Sequence, residues 1–590
     1  MALFALSAES LGAQTLVRDI QPGAAASAPF FFTALNGQAI FRANDGTTGI
    51  ELWKSDGTAA GTMLVKDINP GSAHASPNNF VEFGGQLYFT ANDGVHGVEL
   101  WRTDGTAAGT TMAVDIRAGS GSSSPSFLVV IGSMLFFSAD DGVAGRELWK
   151  SDGTVAGTTR IADIQAGALA SSPSQLTVVG STLYFTANDG TNGTELWRSL
   201  APWTAATTSL VADIYPGSAS SSPSSIVVQG ATLYFRANDG VRGAELWKSD
   251  GLAANTAIVA DINPGSASSN PNNLTVLSSF VFFSATDAQS GIELWKSDGT
   301  TSGTTLVEDI QPGSGSSSCS NFVVSGLNLF FTANDGTSGL EVWTSRAPWI
   351  AATTSLVKDI NSGAGHGIPP AVSLVSAKLL YPAADNVRVL FAGTNGSQGS
   401  ELWVTDGTAA GTQQLADVNP GAGNASPQGF MRVGADVYLS ANNGSSGIEL
   451  YKAPLASFGG ALAERFGVGC AGSANLVPVN TPQSLPLLGN SSFSLELRQA
   501  RQTSAAAAIL DVQRGNVVLP GGCVLYVPQL LVLFATPTNA MGEGSVALPI
   551  PNQAALLGVH FFTQWAVLDP QGSFLQQFSF SEGLEVVIGN

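Results

Sequence analysis

Apolar and polar residues alternate along most of this chain in short runs, and turn-forming residues end each run. Between residues 173 and 214, "SQLTVVG" is a β-branched run closed by glycine, and "TLYFTAND" alternates until it meets a turn dipeptide. "GTELWRS" follows, and "TTSLVADI" completes the unit before the next "PGS". Runs of this length, bounded by Gly, Asn, Asp, Ser and Pro, predict antiparallel strands joined by tight turns. Four of them recur roughly every 48 residues. That is the spacing of a β-propeller blade.

The repetition is explicit in the motif "ELW" or a close variant, which begins at Glu51, Glu99, Glu147, Glu195, Glu245, Glu293, Glu341, Glu401 and Glu449. A second marker, "DI" or "DV", has its aspartate at Asp19, Asp67, Asp115, Asp163, Asp213, Asp261, Asp309, Asp359 and Asp417. Two units are longer because "SLAPWTAATTSLVADI" and "SRAPWIAATTSLVKDI" replace the usual "SDGTAAGT", and another holds an insertion near "AKLLYPAADN". The ends of the array are complementary. "QTLVRDI" is a fourth strand with no partners of its own, whereas the last unit runs from "GIELYK" into "APLASFGG" without a fourth strand. Pairing the two closes a ring and removes its open edges. The expectation is an all-β chain with a propeller of about nine four-stranded blades over 14–452. A linker at 453–465 and a C-terminal β-sandwich domain at 466–590 follow.

The repeat "ELWKSDGTAAGT…LVKDI" resembles the ELWxxDGT repeat of large exported bacterial proteins, over residues 16–452 nearly throughout. The tail, "FGVGCAGS…LGNSSFSLEL…GGCVLYV…LPIPN…QWAVLDP", is similar to C-terminal domains of exported proteins from planctomycete-like bacteria. The resemblance implies a propeller-like fold and export. It brings no catalytic activity to carry over.

Composition narrows the partners. The chain has 590 residues with 44 acidic against 24 basic side chains, a net charge of −20, so no basic stripe exists to displace counterions from nucleic acid or anionic lipid. Residues 1–13, "MALFALSAESLGA", read as a signal-peptide remnant. No later run reaches the roughly 18 apolar residues that a membrane span needs. The chain is therefore expected to be secreted or at the cell surface, and monomeric. Of three cysteines, Cys319 stands where other repeats mostly have proline and reads as a buried thiol. Cys470 and Cys523 both follow glycine outside the repeats, and a disulfide between them suits an exported protein.

The repeated residues read as structural. Trp53, Trp101, Trp149, Trp197, Trp247, Trp295, Trp343, Trp403 and Tyr451 share one position and suit the wedge between neighbouring sheets. Asp56 and Asp104 in "DGT", and Asp45 and Asp93 in "NDG", suit turns that accept backbone N–H groups, with calcium as the candidate ion for the same carboxylates. Four scattered histidines make no metal pattern, and no nucleophile elbow or phosphate loop occurs. Function is then sought in what differs between units. Arg42 and Arg236 replace threonine, while His96, Arg146 and Arg242 fall in the "NDGxxGxE" turn. Trp203 and Trp349 mark the replaced turns, and Glu82 is a unit-specific acid. These observations predict a non-enzymatic exported binding or scaffold protein, using rim loops on a glycan or protein ligand and no cofactor. The alternative is a propeller hydrolase or lyase acting on polysaccharide.

Overall fold

The computed structural model describes residues 14–325, 327–369, 388–434 and 436–454. Beyond them it describes 462–466, 479–482, 494–498, 500, 503–511, 517–518, 524–525, 532–539, 543–550, 560–569, 578–581 and 583–587. Among the described repeats, eight four-stranded sheets and one three-stranded sheet, all antiparallel, follow one another in a β-propeller-like arrangement.

The unit containing Trp101 shows how its residues build a sheet. Its strands are Asn78–Phe83, Gln86–Asn92, Val98–Thr103 and Thr111–Val114. Gly84 and Gly85, at φ +60° and +75°, close the first hairpin in a conformation that a Cβ disfavours. In the second turn Asp93 Oδ1 accepts the amides of Val95 at 2.9 Å and His96 at 2.8 Å. In the third, Asp104 Oδ1 accepts the amide and hydroxyl of Thr106 at 2.8 and 2.7 Å. The second and third turns are thus written in side chains that bind their own backbone two or three residues on.

The second strand is buried along its whole interior, from Leu87 to Ala91. Side chains alternate between faces, so both faces of the sheet must be covered. The neighbouring sheets supply the cover. Ile40 and Leu52 of one unit share a cluster with Leu87, Phe89 and Trp101 of the next, and similar clusters join each later pair. A further cluster joins Val433, Tyr438 and Leu450 of the last repeat to Phe41 and Trp53 of the first. The motif aromatics sit in these seams, Trp149 and Trp197 partly buried and the others buried. Burying such a ring contributes roughly 4–6 kcal/mol as an upper estimate.

The N-terminal strand Thr15–Arg18 pairs with Ile448–Pro454, setting Thr15 opposite Lys452 and Leu16 opposite Tyr451. Polar contacts reinforce the seams. The motif glutamates are fully buried, and each accepts backbone N–H groups from the segment leading to the next sheet. Glu99 takes Ile116 N at 3.0 Å and Ser123 N at 2.7 Å, plus the Ser123 hydroxyl. Glu449 does the same for the chain start, through Ile20 N and Ser27 N, both at 2.8 Å. The lysine after the tryptophan donates to a carbonyl of the next unit, as Lys54 does to Gly105 O at 2.9 Å and Lys248 to Gly299 O at 2.8 Å.

Beyond the repeats, Leu462–Phe466 pairs with Gly583–Val587 in a six-stranded sheet. Those five residues were expected to belong mostly to a linker; the alternating "LAERF" instead forms an edge of the C-terminal sheet. A three-stranded sheet contributes Leu495, Leu497 and Val546 to a core shared with Ala508, Trp565 and Leu584 of the larger sheet. Residues 1–13, Cys470 and Cys523 lie outside the described residues.

Burial raises the pKa of the motif glutamates. For Glu51 it carries the value to about 7 and for Glu341 to about 8, outweighing the amides that favour the anion. Both units lack the serine hydroxyl that Glu99 receives, having Ala75 and Gly367 in its place. A raised carboxylate pKa means that the folded state holds protons the unfolded chain releases. The resulting stability is complete below the ordinary pKa near 4.5 and is lost as pH climbs to about 7 and 8. In the opposite direction, Asp56 and Asp104 are held below the usual range by the hydroxyl and then the amide of Thr58 and Thr106, so their contribution fades in strong acid. Thermal unfolding should therefore show greatest stability in mild acid and a decline towards pH 8. Ala75→Ser should flatten that decline, by about 1–2 kcal/mol at pH 8. Removing residues 1–20 should expose the Ile448–Pro454 edge and deprive Glu449 of the Ile20 amide; an unchanged melting curve for that deletion would refute the closing role of the N-terminal strand.

Candidate functional site

The described first strands pack against the first strands of neighbouring units. Phe30–Leu35 lies beside Asn78–Phe83 on one side and Gln428–Val433 on the other. These strands are therefore innermost, lining the axis about which the sheets succeed one another. All eight described ones carry the same irregularity. The register slips by a bulge, for example between Phe30 and Thr33 or Ser126 and Val129. The residue inside the bulge is left-handed. It is Phe31, Asn79, Phe127, Gln175, Ser225, Asn273, Asn321 or Gly429, with φ between +53° and +71°.

Residue type decides what this conformation costs. Glycine adopts it freely and asparagine readily, but a bulky side chain is an outlier there, at roughly 1–3 kcal/mol. Phe31 and Phe127 occupy it nonetheless, and they are 37 % and 45 % exposed. Strain combined with exposed aromatic surface marks a functional position more strongly than either alone.

The surroundings differ by unit. In five units a hydroxyl on the second strand donates to the first strand under the bulge, as Thr90 does to Asn78 O at 3.2 Å and Ser440 to Gln428 O at 3.3 Å. Arg42 and Arg236 take that place in two others. The Arg42 guanidinium lies 4.5 Å from the Phe31 ring centre and 6.0 Å from that of Phe30, and burial draws its pKa down. A cation over an aromatic face at this range is attractive and holds the ring in place. Among the amides, Asn79 Nδ2 reaches Pro125 O at 3.3 Å and Asn273 Nδ2 reaches Cys319 O at 3.4 Å, both in the next unit. Glu82 lies exposed on the same inner wall, and Arg432 is partly buried on the last inner strand. The mouth therefore interleaves amide and hydroxyl groups with two open phenyl rings.

The residues singled out from the sequence fall elsewhere. Asp45 and Asp93 close the turn before the third strand, whereas Asp56 and Asp104 close the turn after it, so opposite strand ends keep the two sets apart. Among the described residues no three His, Cys, Asp or Glu side chains gather as a metal site. His96 and Arg242 occupy the same turn position and pair locally with Asp93 at 2.7 Å and Asp239 at 2.9 Å. Arg146 is not free on the rim as expected; its guanidinium donates to the carbonyls of Ser124, Ser138 and Ser123 at 2.9–3.2 Å. Trp203 and Trp349 also turn inward. Trp203 meets Phe136 edge-on at 5.1 Å, and Trp349 meets Phe280 and Phe282 at 5.7 and 5.8 Å. The Cys319 thiol is free and buried, and burial pushes it up to about 12. Arg42, Arg236 and Glu82 belong to the inner-strand region, and the Arg146 guanidinium reaches it through Ser124, Ser126 and Ser138. The bulge itself escaped the sequence reading, although Asn79, Asn273, Asn321 and Gly429 at one position carry a left-handed signature.

No protein-family model and no curated protein matches the chain. Solved structures are similar to it at low identity. A prolyl endopeptidase is 8 % identical, with a TM-score of 0.35 over 79 % of this chain. Oligopeptidase B from Trypanosoma brucei is 11 % identical, with 0.35 over 80 %, and a Mycobacterium tuberculosis puromycin-hydrolyzing peptidase is 10 % identical, with 0.36 over 73 %. The chain spans about 61 % of the length of each of these proteins. Against the expected glycan- or protein-binding surface scaffold, or polysaccharide hydrolase or lyase, these neighbours are peptidases. Among the described residues, no helix is long and apolar enough to cross a membrane.

Strain at the bulge makes a direct prediction. Phe127→Asn should raise stability by about 1 kcal/mol in urea unfolding, and Asn79→Phe should lower it by a similar amount. Destabilisation by Phe127→Asn would mean that the phenyl ring is there for packing.

Proposed function

We propose that this chain is a peptidase-related β-propeller whose axial mouth receives an extended, unfolded polypeptide. The observation that carries the reading is the pair Phe31 and Phe127, held exposed in a conformation that asparagine fills at less cost in neighbouring units. A polypeptide offers one N–H and one C=O per residue. Side-chain amides such as Asn79, Gln175, Asn273 and Asn321 can donate and accept, and so match that repeating pattern without reading sequence. The phenyl rings add apolar contact for side chains, and Arg42 fixes one of them.

The finer architecture belongs to the same proposal. Nine blades close into a ring through the N-terminal strand, and the C-terminal sheets form a β-sandwich stapled by Cys470 and Cys523. The ELWxxDGT-like repeats and the apolar N-terminus favour an exported protein, and its acidity makes nucleic acid an unsuitable partner.

Fluorescence anisotropy tests this with a fluorescein-labelled, unstructured 20-residue peptide containing Phe and Leu. Saturable binding is expected, weakened about tenfold, or about 1.4 kcal/mol, in the double variant Phe31→Asn, Phe127→Asn. Equal affinity of the double variant, or absence of binding by the unmodified chain, would overturn the reading.

A further inference from the structure

Three seams between sheets share a local geometry and differ in what fills them. Where Trp203 enters, it packs against Phe136 in a cluster that includes Ile131 and Met134, while Lys150 Nζ donates to Trp203 O at 2.9 Å. Where Trp349 enters, it packs against Phe280 and Phe282 in a cluster with Leu277, and Lys296 Nζ donates to Trp349 O at 2.8 Å. In both seams the tryptophan comes from the replaced turn of the following unit.

The seam one repeat before Trp203 has the corresponding wall positions and, beyond the motif Trp149, no tryptophan from a replaced turn. Phe83, Gln86, Tyr88 and Arg102 stand 48 residues before Ile131, Met134, Phe136 and Lys150. The turn facing them is Asp152-Gly153-Thr154, and Arg102 Nη1 donates to Gly153 O at 3.4 Å as the lysines do in the other seams. Between them lies a cavity of about 520 Å³, lined among others by Phe83, Gln86, Tyr88, Arg102, Ser133 and Asp152. That volume is within the roughly 300–1,000 Å³ of small-molecule sites.

We propose that this cavity is a binding site for an indole-type aromatic ring supplied by a ligand, which takes the place that Trp203 and Trp349 take in their own seams. The chain itself supplies the argument, because it fills the equivalent space with indole twice. Tyr88 stands where Phe136 receives Trp203, ready for edge-to-face contact, and Phe83 lies 5.3 Å from it in a T-shaped pair. Arg102 adds a cation within reach of a ring in the cavity, a contact worth more as water is displaced. Asp152, whose Oδ1 is engaged by the amide and hydroxyl of Thr154, lines the cavity as the carboxylate nearest a ligand N–H. The site is independent of the axial mouth and does not rest on the polypeptide reading.

Fluorine NMR of the full chain tests the proposal with two probes, 5-fluoroindole and N-acetyl-5-fluorotryptophanamide. One saturable site is expected. It should be lost in Ser133→Trp, which fills the cavity, and weakened about tenfold in Arg102→Ala. Trp203→Ala should lower the Tm, regain it with indole and show a second site. Tighter binding of the amide probe than of 5-fluoroindole would identify the ligand as an aromatic side chain in a peptide; preference for 5-fluoroindole would identify a free aromatic molecule. Failure of the unmodified chain to bind either probe, while Trp203→Ala is rescued by indole, would overturn the proposal. So would unchanged binding in both Ser133→Trp and Arg102→Ala.

Discussion

A buried carboxylate reached by backbone N–H groups and, in several units, one serine hydroxyl is the interaction on which the rest of this structure depends. Each motif glutamate sits on the third strand of one sheet and accepts amides from the segment that leads to the next. An ion in that position would be too costly without those donors, so the segment must stay where it is. Its placement fixes the mouth. Glu99 holds Ser123; Ser124 then turns left-handed, Pro125 follows, and Phe127 enters the bulge four residues after the clamp. Ser124 N is bound to Val98 O at 3.0 Å and Asp140 N to Ser123 O at 3.0 Å, so the clamp is tied to strands on both sides.

This arrangement separates stability from function within one unit. Apolar seams and carboxylate clamps are nearly identical in every repeat and carry the fold. The bulge position, held rigidly by them, is free to vary from Gly429 to Phe31. A strained phenylalanine is tolerable there because the scaffold over-determines its backbone, which is how proteins keep costly conformations at working surfaces. The same scaffold explains the seams. Where a turn is rebuilt, as around Trp203, the wedge between sheets is filled from within, and where it keeps Asp152-Gly153-Thr154 beside Tyr88, space remains.

Much of the framework was legible in the residues. Strand positions follow from alternation and from turn dipeptides such as Asn92-Asp93-Gly94, and the packing role of Trp53 and its equivalents follows from their recurrence. The partnership of Thr15–Arg18 with Ile448–Pro454 was readable because one end of the array lacks a strand that the other end supplies. What escaped was information that local sequence does not hold. A guanidinium such as that of Arg146 looks free in a turn, but three carbonyls, two from the segment before the first strand and one from the second strand, meet it only after folding. Trp203 looked exposed because its partner, Phe136, is remote in sequence and belongs to the preceding sheet. The left-handed bulge was hidden by Phe31 and Phe127 themselves, since neither residue advertises a positive φ.

Hydrogen exchange on Glu195→Ala tests most directly whether the buried carboxylate organises the seam. Glu195 holds Ile214 N at 3.1 Å and Ser221 N at 2.7 Å, ahead of the bulge at Ser225. Losing a buried acceptor costs about 1–3 kcal/mol, which corresponds to roughly 5- to 150-fold faster exchange. The account predicts that loss of protection at Ile214, at Ser221 and through the Ser224–Gln229 strand, with amides of distant sheets unaffected. Unchanged protection across 214–229 would contradict it.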